Sequence, residues 1–276
     1  MKYYLVDAFS SEPFKGNPAA VCLLEHEIDE QLMQQIAMEM NQSETAFVLP
    51  MEGCKLGQAT LFSLRWFTPT QEVDLCGHAT LASAKVLFEL QKGRHRELSF
   101  ETRSGIIKIG SVDEFLNMQL PIHEPKSFFS QISLKKVLGV EEIVNIMWDE
   151  ALKYLLVHLP SEEDVKHNDP DFTSLLNLDL EFDLRGLIVT SKGSGQVDFV
   201  SRFFAPWLGI NEDPVTGSSH AILFPYWENI TGKSEMRACQ LSRRGGEFLL
   251  RRVAKAWFEI QGQAFIVAEG LIRVSD

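Results

Sequence analysis

Three short stretches concentrate the residue types that move protons or hold acids: Ser43-Glu44-Thr45, Cys76-Gly77-His78, and Asp213-Pro214-Val215-Thr216-Gly217-Ser218. A glutamate that takes a proton from carbon must first be partly desolvated, because an unperturbed carboxyl with a pKa of about 4.3 is a weak base. Glu44 lies at a junction between a helical and a strand pattern, where a side chain can face a cleft while the backbone is held at both ends. Its plainer reading is a carboxylate that caps or braces a loop. His78 opens an apolar helix and either donates a hydrogen bond to substrate or caps its own turn. Asp213 positions a substrate amine or hydroxyl, or shuttles a proton, or else complements a helix dipole. Cys76 is a packed thiol unless its place beside a helix N-terminus lowers its pKa. Asp74-x-Cys76-x-His78 has metal-ligand composition but no second ligand pair at helical or hairpin spacing, so the sequence predicts no metal site.

Two helices must position these groups. The run Leu81 to Leu90, with Ala82, Ala84, Val86, Leu87 and Phe88, is apolar on nearly all sides and belongs inside a domain. Its first N–H groups, beyond Gly77, make a ready site for a carboxylate or phosphate. A second acidic stretch, glycine turn and apolar body, Ala221 to Phe224, repeats the design, with Pro225 expected to kink or shorten that helix. Gly77, Gly217 and Ser218 are therefore the expected anion-binding positions, and two similar halves are expected, each burying its helix.

The rest of the chain reads mostly as strands. Tyr3 to Phe9, Ala19 to Leu24, Ala46 to Leu49 and Leu61 to Thr68 are strand patterns, and a helix runs from an Asp29 cap to an Asn41 stop. Leu98 to Leu120 reads as a meander, Pro121 to Pro125 as a domain boundary, and Met236 to Val274 as successive strands. So few helices argue against a doubly wound nucleotide-binding sheet. The 276 residues carry a net charge of −12 with 45% hydrophobic content, which supplies a core and gives no electrostatic footprint for nucleic acid or anionic membrane. No signal peptide or spanning run is present, so a cytoplasmic location is expected, and Cys22, Cys54, Cys76 and Cys239 are expected to be thiols.

The motifs Val6-Asp7-Ala8-Phe9, Gly16-Asn17-Pro18-Ala19, Ser43-Glu44-Thr45-Ala46-Phe47, Cys76-Gly77-His78-Ala79-Thr80, Asp213 to Ser218 and Arg244-Gly245-Gly246 follow one another over nearly the whole chain. In that order they resemble the phenazine-biosynthesis-like isomerases, and Leu64-Arg65-Trp66-Phe67-Thr68-Pro69 with Ser201-Arg202-Phe203-Phe204-Ala205-Pro206-Trp207 looks closest to the animal branch. The resemblance implies an α+β fold of the diaminopimelate epimerase kind: two pseudo-symmetric β-barrel-like domains, each around a central helix, with the active site in the cleft between them. Residues 1–121 with about 265–276 would form one domain and 122–264 the other. It implies a cofactor-independent isomerase or epimerase acting on a small carboxylate, with Glu44 as acid/base, His78 and Asp213 as catalytic partners, Gly77, Gly217 and Ser218 as binding positions, and a homodimer. Distant epimerases of this kind use two cysteines; Cys76 fills the first place and Pro214 is read at the second, which leaves no thiol pair. A binding or scaffold protein that keeps the fold, and a racemase using Cys76, are the rival classes. Arg202 and Arg244 either bind the substrate's carboxylate or brace the protein's own.

Overall fold

Apolar runs of strand length, punctuated by glycine, proline and asparagine, fold into sheet, and the two long apolar runs fold into buried helix. The computed structural model describes residues 1–51, 53–128, 134–178 and 182–274. In chain order the elements are β1 (Lys2–Ala8), β2 (Asn17–Leu23), α1 (Glu30–Met40), β3 (Glu44–Pro50), β4 (Leu61–Phe67), β5 (Glu72–Val73), α2 (Gly77–Gln91), β6 (Glu97–Thr102), β7 (Gly105–Val112) and β8 (Phe115–Pro121). There follow β9 (Lys126–Ser127), α3 (Leu134–Leu138), β10 (Asn145–Asp149), β11 (Tyr154–His158), α4 (Glu162–Lys166), α5 (Phe172–Leu176), β12 (Gly186–Lys192), β13 (Phe199–Ala205) and β14 (Ile210–Asp213). The chain closes with α6 (His220–Thr231), β15 (Glu235–Gln240), β16 (Gly246–Ala254), β17 (Trp257–Gly262) and β18 (Ala264–Leu271). The architecture is mixed and sheet-dominated.

The chain divides into two compact units, Met1–Gln119 with Gln261–Asp276, and Leu120–Ile260. Residues 275–276, included in the first domain by the sequence reading, lie outside the described residues. In the first unit β18, β1 and β2 are successive antiparallel neighbours, β3 joins β2 in parallel, β4 joins β3 antiparallel, and β6 joins β4 in parallel before the β6–β7–β8 meander. Helix α2 packs on β1, β2, β3, β7 and β18. Its Leu81, Ala84 and Val86 are fully buried and Phe88 nearly so, as its all-round apolarity requires.

The second unit repeats the first, pairing for pairing. Antiparallel β1–β2, parallel β2–β3, antiparallel β3–β4, antiparallel β4–β5, parallel β4–β6 and antiparallel β6–β7 recur as β10–β11, β11–β12, β12–β13, β13–β14, β13–β15 and β15–β16. Phe67 faces Glu72 in one unit and Phe204 faces Glu212 in the other. Both glutamates stand five residues before a glycine, so the position equivalent to Cys76 is Thr216, and the assignment to Pro214 is corrected by this register. The helical ends repeat too: Thr80 Oγ1 donates to the Cys76 carbonyl at 2.6 Å, and His220 Nδ1, at the matching place, lies 3.0 Å from the Thr216 carbonyl.

Helix α6 departs from expectation at two points. It begins at His220, after a turn in which the His220 and Ala221 amides donate to the Gly217 and Ser218 carbonyls at 3.1 Å each, so Gly217 and Ser218 lie ahead of the helix. It also runs through Pro225 to Thr231 instead of stopping there. The carbonyl that a proline leaves without its helical donor belongs to Ala221, and the His123 amide fills it at 2.9 Å. Ala221, Leu223 and Phe224 are buried.

Candidate active site

The sequence around Asn17 leaves the backbone one solution. Gly16 has φ +68°, and a Cβ there would stand 2.2 Å from the Ala8 carbonyl oxygen, so only glycine lets the chain turn back from β1 into β2. That turn buries Asn17 completely. Helix α1 ends on Asn41 in the left-handed conformation, φ 48°, and the short Gln42-Ser43 link delivers Glu44 as the first residue of β3, paired in parallel with Ala19. Cys76 is the N-cap residue of α2, and His78 is the second residue of its first turn.

These pieces converge. His78 Nε2 is 3.1 Å from Glu44 Oε2, and His78 Nδ1 is 3.3 Å from Asn17 Nδ2 and 3.5 Å from Cys76 Sγ. Ser43 Oγ donates to Asn17 Oδ1 at 3.2 Å, which fixes the amide behind the ring. Glu44 Oε2 is buried and, despite the close imidazole, makes no aligned hydrogen bond. A buried acceptor in that state is uncommon and is characteristic of groups kept for chemistry. Burial by itself lowers the pKa of His78, but the adjoining Cys76 side chain, with which it shares a hydrogen-bond contact, and the charge and hydrogen bond of Glu44 outweigh burial and hold His78 above the ordinary histidine value. Burial, reinforced by the Glu44 charge, pushes the Cys76 thiol up. We take the charged pair to be Glu44 and His78, with Cys76 a neutral thiol.

The second unit builds a different constellation at the equivalent place. Asp213 accepts a hydrogen bond from Thr216 Oγ1, and Gln240 bridges the same loop by donating to the Asp213 carbonyl at 2.7 Å and accepting from the Thr216 amide at 2.8 Å. Ser242 Oγ donates to the Pro214 carbonyl at 2.6 Å and accepts from the Gly245 amide at 3.0 Å, which ties the Arg244 turn to this loop. Ser218 Oγ is 3.1 Å from the Tyr154 hydroxyl, whose pKa burial raises. His220 is fully buried; its Nδ1 donates to the Thr216 carbonyl, its Nε2 finds no partner, and burial lowers its pKa to about 4.

Glu44, Gly77 and His78 therefore come together in the first unit, and Asp213, Gly217 and Ser218 lie on one turn of the second. Arg202 braces the protein: it is bidentate to Glu212 at 2.7 and 3.0 Å and reaches the Asn168 carbonyl at 2.5 Å. Asp74 is exposed, so the Asp74-x-Cys76-x-His78 grouping does not form; Glu44 takes that place beside Cys76 and His78. Sequence reasoning missed the site roles of Asn17, Tyr154 and Gln240. Asn17 sat inside a recognised Gly-Asn-Pro motif, whereas nothing local marks Tyr154 or Gln240, which are strand residues brought in by pairing. All four cysteines are thiols, and no described helix is long and apolar enough to cross a membrane.

The family model for phenazine biosynthesis-like proteins matches residues 6–270. An uncharacterized isomerase of Pseudomonas aeruginosa is 45% identical over 275 residues, covering 100% of this chain and 99% of the relative. The phenazine biosynthesis-like domain-containing protein of Homo sapiens is 42% identical over 284 residues, covering 98% of each. A crystal structure of an Enterococcus faecalis protein of the PhzF family superposes with a TM-score of 0.91 at 41% identity, over 99% of each chain. At 10% identity the likeness extends, in fold alone, to a probable proline racemase of Agrobacterium radiobacter, with a TM-score of 0.60 over 99% of this chain and 93% of that one.

Proposed function

The chain belongs to the phenazine biosynthesis-like family, and on that premise we propose that it is a cofactor-independent isomerase of the racemase or epimerase type, moving a proton between carbons of a small carboxylate with Glu44 as the acid/base. The observation that supports this most is Glu44 Oε2, buried without an aligned hydrogen bond and 3.1 Å from His78 Nε2. Glu44 takes the proton from a carbon acidified by an adjacent carbonyl or conjugated system and returns it to a second carbon on the same face; inversion at one carbon would need a second acid on the opposite face. No electrons leave the substrate. The imidazolium of His78, held charged by its neighbours, stabilises the negative charge that builds as the C–H bond breaks, a preorganised electrostatic effect. The amides of Gly77 and His78 add their dipoles to the same task.

In this reading the Gly217-Ser218 turn holds the acid group of the substrate, Asp213 keeps that turn in shape and contributes to catalysis, and each unit is a β-barrel-like wrap around its helix. The repeated pairing order supports the last point. A two-thiol racemase is disfavoured, because Thr216 stands where a second cysteine would be needed. A homodimer follows from the family likeness, and light scattering of the purified chain tests it. Turnover itself is tested by incubating the protein in D2O with a panel of small 2-amino, 2-hydroxy and unsaturated carboxylates and reading deuterium incorporation by NMR. Incorporation that disappears in Glu44→Gln is expected. Incorporation by no member of the panel, with binding nonetheless detected by thermal shift, would favour a binding protein that keeps the fold.

A further inference from the structure

The register of the repeat makes Gly186 the counterpart of Glu44 and Tyr154 the counterpart of Ala19: Thr45 faces Phe67 as Leu187 faces Phe204, and Ala19 faces Glu44 as Tyr154 faces Gly186. His78 likewise corresponds to Ser218, each following the glycine of its turn. The first unit sets a carboxylate from β3 against His78, 3.1 Å away. The second unit has only a hydrogen at that place. A Cβ on Gly186 would stand 2.2 Å from Phe203 Cζ, so the Phe203 ring fills the space in which a carboxylate side chain would begin. Tyr154, from the neighbouring strand, packs edge-on against that ring with centroids 5.0 Å apart, and its hydroxyl is 3.1 Å from Ser218 Oγ. The residue after the glycine keeps a polar partner in both units, but a phenol has replaced the carboxylate.

The replacement decides where protons point. Two hydroxyls carry two protons and share one hydrogen bond, and among the described residues neither hydroxyl has another protein partner, so one proton faces elsewhere. A phenol is a stronger acid than an alcohol, and an alcohol oxygen is the better acceptor, so the shared proton is that of Tyr154. Burial raises the pKa of Tyr154 and the charge of Asp213 adds to it, so the phenol keeps its proton through neutral pH. We propose that Tyr154 is a positioning residue, whose hydroxyl donates to Ser218 Oγ and so directs the Ser218 proton at the acid group of the substrate. This rests on the reading of the Gly217-Ser218 turn as the one that holds that acid group. An ionised carboxylate at position 186 could only accept; it would take the Ser218 proton for itself and set its own charge against an incoming anion. Glycine there removes the competitor.

The test uses the full chain with sodium malonate as the probe, and binding is read from the chemical shifts of the Gly217 and Ser218 amides. Tyr154→Phe keeps the ring against Phe203 and deletes only the hydroxyl; it should raise the malonate Kd about three- to tenfold, the scale of one misdirected hydrogen bond, with the melting temperature little changed. Ser218→Ala should weaken binding at least as much, and the double variant should bind no worse than Ser218→Ala alone, because Tyr154 acts through that hydroxyl. With any substrate found by deuterium exchange, Tyr154→Phe should raise KM and leave kcat nearly unchanged. A Kd unchanged in Tyr154→Phe, or losses that multiply in the double variant, overturns the role of Tyr154 and leaves the turn as an acid site. Malonate that shifts neither amide in the unaltered chain overturns both. Deuterium exchange in Glu44→Gln reports on the isomerase reading apart from either, since Tyr154 belongs to the other unit.

Discussion

At Glu44 a single oxygen separates two roles. Glu44→Gln keeps the size and planarity of the side chain and removes its basicity, so the thermal midpoint should move little while deuterium exchange with any substrate turned over falls to background. Cys76→Ser should retain measurable exchange, because burial and the Glu44 charge keep that thiol protonated. An active glutamine variant beside a dead serine variant would assign the proton transfer to sulfur and end the Glu44 proposal. On the other turn, Ser218→Ala removes a hydroxyl held 3.1 Å from Tyr154. If the turn binds the acid group before reaction as strongly as during it, KM should rise with kcat nearly unchanged. A fall in kcat alone would instead place Ser218 in the chemistry.

Elements carry these residues, and the repeat shows which contacts matter to them. In each unit an arginine on the fourth strand of the repeat, Arg65 on β4 and Arg202 on β13, clamps a glutamate on the short following strand and lies over the phenylalanine two residues on, 5.2 Å from Phe67 and 4.9 Å from Phe204. The clamp holds the strand that leads into the glycine turn. Arg202 is the more buried of the two and also reaches the carbonyls at the end of α4, so Arg202→Ala should cost about 3 kcal/mol and Arg65→Ala less, read by urea unfolding. Equal costs would mean that the α4 carbonyls contribute nothing. Gly16→Ala acts through backbone alone: the positive φ and the 2.2 Å approach to the Ala8 carbonyl must both be relieved by moving the β1–β2 turn. Asn17 would then leave His78, and activity should fall further than stability.

At the scale of the whole molecule two features set the response to acid and to truncation. The pKa of His220 drops on folding from 6.5 to about 4. The unfolded chain therefore binds the extra proton first, and this contribution, full above about pH 6.5, is lost as the pH falls toward 4, by about 3 kcal/mol at most. His78 has the opposite sign: its raised pKa adds stability that is full below about pH 6.5 and is lost as the pH rises through its folded value. His220→Asn keeps a donor near the place of Nδ1 and should flatten the acid limb of a stability profile measured between pH 7 and 4, whatever it does to the midpoint at pH 7. The first unit is discontinuous, with β18 paired along the full length of β1. Removing residues 261–276 should therefore strip β1 of a neighbour and abolish cooperative unfolding of that unit, seen by circular dichroism as a lost or broadened transition. A truncated chain that melts like the full one would show that β1 needs only β2.

What the sequence determined by itself was local and periodic. Two helices apolar on every side had to be buried, Asp29 and Asn41 had to bound a helix, and the motif order named the family, because these signals lie within a few residues of each other. Glu44 and His78 were legible as types in motifs, yet their 3.1 Å approach was not, since 34 residues separate them and only the β2–β3 pairing and the packing of α2 bring them together. The same reason hid Tyr154 and Gln240, which reach the 213–218 turn from strands of their own. The counterpart of Cys76 was read as Pro214, whereas the strand register, with Glu72 and Glu212 each five residues before a glycine, gives Thr216. The start of α6 was decided late as well, because a turn and a helix share local propensities, and the carbonyls of Gly217 and Ser218 are bonded three residues on by the first amides of the helix, those of His220 and Ala221. Contacts between residues distant in the chain depend on how strands choose partners, and that choice is made by the packed sheet, not by any one segment.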